Sequence, residues 1–324
     1  MENCFDALCS AMLLDDNKAR PRPHSPFCHS ARFRGSDALY PRQTMFVEAE
    51  GVELMLLVIR GKGAVKGAAL RCLDFAVTRC APAAQRVVDA GGLGAVFAAF
   101  TGRSAAAARA RRGADAPDEE EGRAVSILAS MMQLLPRGAA RDRVAAKFVE
   151  EEYAKTDRLI ELWFKYAARV SAAEQAWDAE AGGSEDEEDG EDADDERYAA
   201  RMDGGLYTLQ QLALIFAQLW CIGHPGLCGR GARALQLGGG TMAAVRSVLR
   251  EHAMQLGDAE GEEAKAALQL KMLRLADTLY LPDEARSRQA SDDEGEERDE
   301  GDAAPEQAGP PAGGEAEGMV DDDD

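Results

Sequence analysis

The chain is poor in aromatic residues, poor in histidine and without a paired cysteine motif. Aromatics fill 6% of its 324 positions while hydrophobic residues fill 46%, so a core must be built mostly from Ala, Leu, Val and Met. That composition suits close-packed helices, because a β-sandwich draws on more β-branched and aromatic side chains. The seven cysteines are an odd number and contain no CxxC pair. With no signal-peptide pattern at the start of the sequence, they are expected to be free thiols in a reducing compartment. No apolar run reaches membrane-spanning length: the longest, residues 206–221, is broken by Thr208, Gln210, Gln211 and Gln218. No membrane partner is expected.

The equipment of catalysis is equally sparse. Of four histidines, His24 and His29 fall in a Pro/Arg-rich stretch and His252 sits beside Glu251 on a helical face. No serine occupies a nucleophile elbow, and no paired carboxylates stand in an apolar context. Gly61-Lys62-Gly63, Gly91-Gly92-Leu93-Gly94 and Gly238-Gly239-Gly240 each fall between helical patterns. A phosphate-binding loop must instead follow a strand and open a helix, so these are read as helix-breaking turns. Cys221, His224 and Cys228 have loosely metal-like spacing, but no nearby fourth Cys or His completes a zinc set. The sequence predicts a non-catalytic protein with no cofactor and no metal.

Charge is abundant but unevenly placed. The formal net charge is −21. Residues 185–196 hold ten acids and no base, and residues 283–324 hold seventeen acids against three arginines, which leaves the rest slightly basic. The acidity belongs to two appendages rather than to the folded body. Ser184 and Ser291 each precede an acidic run and match acidophilic kinase sites. Arg103, Arg109, Arg111 and Arg112 form a small basic cluster without stacking aromatics, so a solvated linker is favoured over an RNA contact.

The period along the chain is helical. Residues 1–14 place Phe5, Leu8 and Met12 on one face. Residues 15–44, with Pro21, Pro23, Pro26 and Pro41, carry no period and are expected to form a disordered insertion. From residue 45 to 281, helices alternate with Gly and Pro breaks in the rhythm of stacked repeats. The helices are expected over 46–60, 66–79, 83–90, 93–101, 121–135, 139–151, 157–177, 198–222, 241–255 and 261–281, with a polar linker at 102–120. Residues 182–197 are expected to be a disordered acidic loop, and residues 282–324 a disordered acidic tail. The physics alone predicts an all-α solenoid or irregular helical bundle.

Five patches carry a resemblance. They are Glu2-Asn3-Cys4-Phe5-Asp6-Ala7-Leu8-Cys9, Val47-Glu48-Ala49-Glu50-Gly51-Val52-Glu53-Leu54-Met55, Ser126-Ile127-Leu128-Ala129-Ser130, the run Lys155-Thr156-Asp157-Arg158-Leu159-Ile160-Glu161-Leu162-Trp163-Phe164-Lys165-Tyr166, and Met202-Asp203-Gly204-Gly205-Leu206-Tyr207-Thr208-Leu209-Gln210. Together they resemble the beta-catenin-like armadillo family. The resemblance implies a right-handed armadillo/HEAT-like α-solenoid, with residues 1–14 ending a truncated unit and the family's N-terminal repeats absent. It also implies a nuclear, non-catalytic scaffold of the spliceosome-associated nineteen complex, acting in pre-mRNA splicing. The implied partner is the Myb-like cell-division-cycle-five protein, bound through basic nuclear-localisation-type segments, with RNA engaged only indirectly. In such a fold the third helix of each unit lines a groove. The helices that would line it are 126–135, 157–170 and 206–219, and Gln133, Asp157, Glu161, Asp203 and Gln210 are its candidate contacts. Asp157 and Glu161 also lie one turn apart, and Glu161 is within reach of Lys165 along the helix. Two alternatives are an armadillo/HEAT adaptor in nuclear import or another complex and an RNA-binding scaffold acting through Arg-rich linkers.

Overall fold

A computed structural model describes residues 2–13, 41–61, 65–102, 116–181, 190–257 and 261–280. The described residues contain thirteen helices and no strand. In chain order these are α1 Glu2–Leu13, α2 Pro41–Glu48, α3 Gly51–Arg60, α4 Lys66–Val77, α5 Ala81–Asp89, α6 Leu93–Phe100, α7 Ala116–Leu134, α8 Ala139–Ala181, α9 Gly190–Asp203, α10 Leu206–Ile222, α11 Pro225–Leu237, α12 Met242–Met254 and α13 Glu262–Asp277. The glycine runs at 91–94 and 238–240 are turns, between α5 and α6 and between α11 and α12. The packing described here belongs to the unit Met1–Leu279.

One row of helices forms the spine. α1 packs on α4, α4 on α7, α7 on α10 and α10 on α12, although these helices are far apart in sequence. Stacking of this kind, with each unit touching mainly its neighbours, makes the fold an armadillo-like helical solenoid. The burial follows from composition. α10 is buried on every side from Leu209 to Leu219, and it buries Leu206, Leu209, Leu212, Ile215 and Leu219 together with Gln210, Gln211 and Gln218. A second cluster joins Phe97 and Phe100 of α6 to Phe148 of α8, edge to face at centroid distances of 5.9, 5.2 and 6.0 Å. Three of the chain's ten phenylalanines are thus gathered at one junction.

Several boundaries differ from the sequence reading, each for a physical reason. Residues 41–44, expected in the insertion, are the first turn of α2, and Gln43 there is buried. The linker expected over 102–120 ends earlier, because α7 begins at Ala116. Asp118 and Glu119 lie in its first turn, where carboxylates complement the positive end of the helix. The acidic loop expected over 182–197 overlaps α9, which starts at Gly190. Arg197 ties that helix to α8 through Glu174 at 2.7 Å and Asp178 at 3.7 Å. The expected tail 282–324 and the basic cluster 103–112 lie outside the described residues.

Two breaks matter for the site. The first interrupts α8 at 150–153. Glu150 is extended at ψ 156°, and Glu151, Glu152 and Tyr153 are left-handed, with φ of 56°, 55° and 67°. Three consecutive non-glycine residues in that region cost roughly 1–2 kcal/mol each. Thr156 Oγ1 donates to the Phe148 carbonyl at 2.8 Å across the break, and the Tyr153 ring meets His224 at 6.5 Å. The expected gap between helices 139–151 and 157–177 falls at this break.

The second break divides the helix expected over 198–222 at Gly204–Gly205. Residues 193–203 and 206–222 meet there at 69°. Gly205 has φ +99°, and a Cβ on it would stand 2.8 Å from Tyr166 Cδ1. A Cβ on Gly204 would stand 2.9 Å from Ala173 Cβ. Only glycine provides both the turn and the close approach to α8. Gly205→Ala is expected to destabilise the fold by about 2–3 kcal/mol, combining backbone strain with overlap. A drop in the urea midpoint at unchanged m-value checks this; an unaltered midpoint would show that the corner relaxes freely.

Candidate functional site

The Gly204–Gly205 corner brings three of the family-like patches into contact. Tyr166 of α8 packs against Gly205, and Ser126 Oγ of α7 lies 3.3 Å from Tyr207 Oη of α10. On α7, Gly122 lies beside both: a Cβ there would be in ordinary contact with Thr208 Oγ1 at 3.5 Å and Tyr166 Oη at 4.0 Å. Between these helices and α4 runs a cleft of about 340 Å³. Asp74 from α4, Ser126 from α7 and Tyr207 from α10 share its lining with Tyr166 and Thr208.

Asp74 is the electrostatic centre of this cleft. Its Oδ1 is out of contact with solvent and accepts no hydrogen bond within the described residues. Loss of water pushes its carboxyl up to about 6, against smaller opposing effects from the Ser126 hydroxyl and the Arg123 guanidinium. Burial likewise raises the Tyr207 phenol, as the main cause, with Asp74 adding to the rise. The Tyr166 phenol is raised well beyond its ordinary range by burial, with Glu121 and Asp118 adding to it. Both tyrosines are therefore neutral hydroxyls at physiological pH.

An ion-pair lattice holds one wall in place. Glu121 of α7, with its side chain only 7% exposed, accepts from Arg158 at 2.5 Å and from Lys165 at 2.7 Å, both on α8. Lys165 also donates to Asp118 at 2.8 Å, and Arg169 to Asp118 at 3.1 Å. Lys165 and Arg169 lie 5.2 and 5.4 Å from the Tyr166 ring centre. Arg123, also in the lining, lies 3.7 Å from Glu119. Asp74 thus differs from the other lining acids, Asp118 and Glu119, which both have a cation partner.

The sequence-predicted contacts scatter around this cleft rather than line it. Asp157 is half-buried in a two-bond pair with Arg230, at 2.7 and 2.6 Å. Glu161 is exposed and accepts from Arg158 at 3.0 Å, not from Lys165, because the buried Glu121 and Asp118 hold Lys165. Gln133 is half-buried, with its carbonyl 3.4 Å from Lys271 Nζ. Asp203 is exposed at the end of α9. Gln210, expected on an exposed groove face, is instead 2% exposed and donates to Gln255 Oε1 at 3.1 Å, because α10 is enclosed on every side. Ser184 and Ser291 lie outside the described residues. The members of the Cys221, His224 and Cys228 trio have separate partners: Cys221 contacts Thr278 Oγ1 at 3.1 Å, His224 Nδ1 caps α11 by accepting from the Leu227 N–H at 3.3 Å, and the Cys228 thiol is 3.8 Å from the Trp220 carbonyl.

Asp74 was the residue that the sequence reading missed. Its signal was positional. With Leu70 four residues before it and Val77 three after, it is an acid on the stripe where α4 should be apolar. Ser126, Tyr166 and Tyr207 all lay within the patches that carried the resemblance, but they had been read only as sequence markers.

Fold and cleft define an armadillo-type solenoid with a cleft on its spine that is lined by acids, hydroxyls and two tyrosine rings. Residues 39–250 match the family described as catenin-beta-like, Arm-motif containing nuclear. Beta-catenin-like protein 1 of Rattus norvegicus is 30% identical over 283 residues, covering 86% of this chain and 45% of the relative. The Homo sapiens protein of that name is 29% identical over the same shares. A beta-catenin-like protein 1 homolog of Schizosaccharomyces pombe is 27% identical over 222 residues, covering 68% of this chain and 32% of the relative. The chain belongs to the catenin-beta-like, armadillo-motif nuclear family. It spans less than half the length of the curated relatives it matches.

Proposed function

We propose that this chain is a non-catalytic nuclear scaffold that binds lysine/arginine-rich segments of splicing factors and acts in pre-mRNA splicing within the nineteen complex. Its partner in this reading is the Myb-like cell-division-cycle-five protein. The observation that carries the reading is the cleft itself. Three helices of the spine deliver an acid with one unsatisfied oxygen and neutral hydroxyls to one place, at the junction of the patches through which the chain resembles its family. Such a surface favours cations, and an extended basic peptide supplies them at regular intervals.

The test is a titration of a labelled basic nuclear-localisation-type peptide from that partner, repeated across a salt series. Saturable binding is expected, weakening roughly tenfold between about 50 and about 300 mM salt as the charges are screened. No binding to the helical, folded chain would reject the reading. Co-purification with importins instead of splicing factors would move the function to nuclear import.

A further inference from the structure

We propose that the Asp74 cleft is the seat of a single lysine side chain of the bound peptide, its ammonium held by Asp74 Oδ1 and the hydroxyls of Ser126 and Tyr207. The inference rests on the basic-peptide reading and names the place where that reading becomes specific.

A buried carboxylate oxygen without a donor is costly, and folded proteins rarely keep one without a purpose. The residue itself lines a cleft and does not sit in a sealed core. Its surroundings supply acceptors at single points: the carboxylate and two hydroxyl oxygens that lie 3.3 Å apart. Three separate acceptors fit the three donors of a compact ammonium better than the flat fork of a guanidinium. The aromatic walls, Tyr166 and Tyr207, suit the four-carbon stem of lysine.

The charges around Asp74 are largely committed elsewhere. On α7, Arg123 is drawn to Glu119 and Asp118 is held by Lys165 and Arg169 of α8. On the other elements packed against α4, Asp6 of α1 pairs with Arg71 at 2.7 Å, and Glu53 of α3 pairs with Arg86 of α5. An arriving ammonium therefore meets one unmatched negative group. That group must give up its proton to bind. In the empty cleft the carboxyl is half-protonated near pH 6, so acid competes directly with lysine for it.

The experiment is a binding titration of the same basic peptide, and of its single Lys→Ala replacements, with the full chain and with Asp74→Asn and Tyr207→Phe. For the unaltered protein, affinity is expected to fall roughly fivefold to tenfold between pH 7 and pH 5. Asp74→Asn should bind at least roughly tenfold more weakly at pH 7, with a flat pH profile, and Tyr207→Phe a few-fold more weakly. One lysine position should matter for the unaltered protein and lose its effect in Asp74→Asn, the coupling that direct contact requires. Equal affinity and equal pH dependence of the unaltered protein and Asp74→Asn, with peptide binding intact, would overturn the lysine seat and leave the basic-peptide reading standing. Absence of peptide binding to the unaltered protein would overturn both.

Discussion

Asp74→Asn is expected to raise the thermal midpoint at pH 7.5, even though it weakens binding. The native carboxyl keeps its proton up to about pH 6, whereas its ordinary value is 3.8. Between those values the folded chain binds more protons than the unfolded one, so stability contributed by this group is present at low pH and is lost as pH rises through 6. Above that, the fold carries a buried charge it would rather not hold. A shift of about 2 units corresponds to up to about 3 kcal/mol, or roughly 5–10 °C in a chain of this size. Asparagine keeps the shape and never ionises. Its advantage should be complete at pH 7.5 and shrink between pH 6 and pH 4. Melting curves of both proteins across that window check this. An advantage independent of pH would show that packing, not ionisation, separates them. A residue that lowers stability while serving a ligand is the trade-off expected at a binding site.

Glu121→Ala should give the largest loss. Glu121 is a nearly buried acceptor for two cations on α8. Removing it leaves Arg158 and Lys165 facing a void, although each keeps a second partner, Glu161 at 3.0 Å and Asp118 at 2.8 Å. Breaking a buried pair from one side costs about 3–5 kcal/mol, and the remaining partners put this case near the lower figure. A urea midpoint lowered by the equivalent of about 3 kcal/mol is expected, with Glu121→Gln in between because its amide oxygen still accepts one bond. The wall that carries Tyr166 and Arg169 should loosen as well, so peptide affinity should fall beyond what the lost charge explains. A midpoint unchanged in Glu121→Ala would mean that the Glu121 pairs add nothing to the joint between α7 and α8, which Asp118 and apolar contact would then hold.

The helices were legible because their apolar residues recur at helical spacing, and because Gly and Pro mark most of their ends. What was misread depended on long-range partners. The corner at Gly204–Gly205 was passed over because the helical pattern continues on both sides; the close approach of Tyr166 and Ala173, some thirty to forty residues earlier in the sequence, requires glycine there. The start of α9 was hidden by its acidity, since composition cannot reveal that Arg197 finds Glu174. Gln210 looked like a groove residue because it is polar, but the helices packed around α10 bury it. Asp74 left a trace, an acid on an apolar stripe, yet the cleft in front of it comes from α7, α8 and α10 and could not be inferred from α4 alone. The acidic appendages drew attention through their charge. Asp74, buried in the folded body, is an acid that the net charge conceals.

The central claim is that basic peptide binds in the spine cleft and not on the acidic segments. A basic peptide carrying a photoreactive diazirine beside its lysine, crosslinked to the full chain and mapped by mass spectrometry, tests it most directly. The account predicts adducts on Asp74, in residues 118–126 and around Tyr207, lost on competition with unlabelled peptide and reduced in Asp74→Asn. Adducts confined to residues 185–196 or 283–324 would contradict it and make peptide binding a property of the acidic appendages.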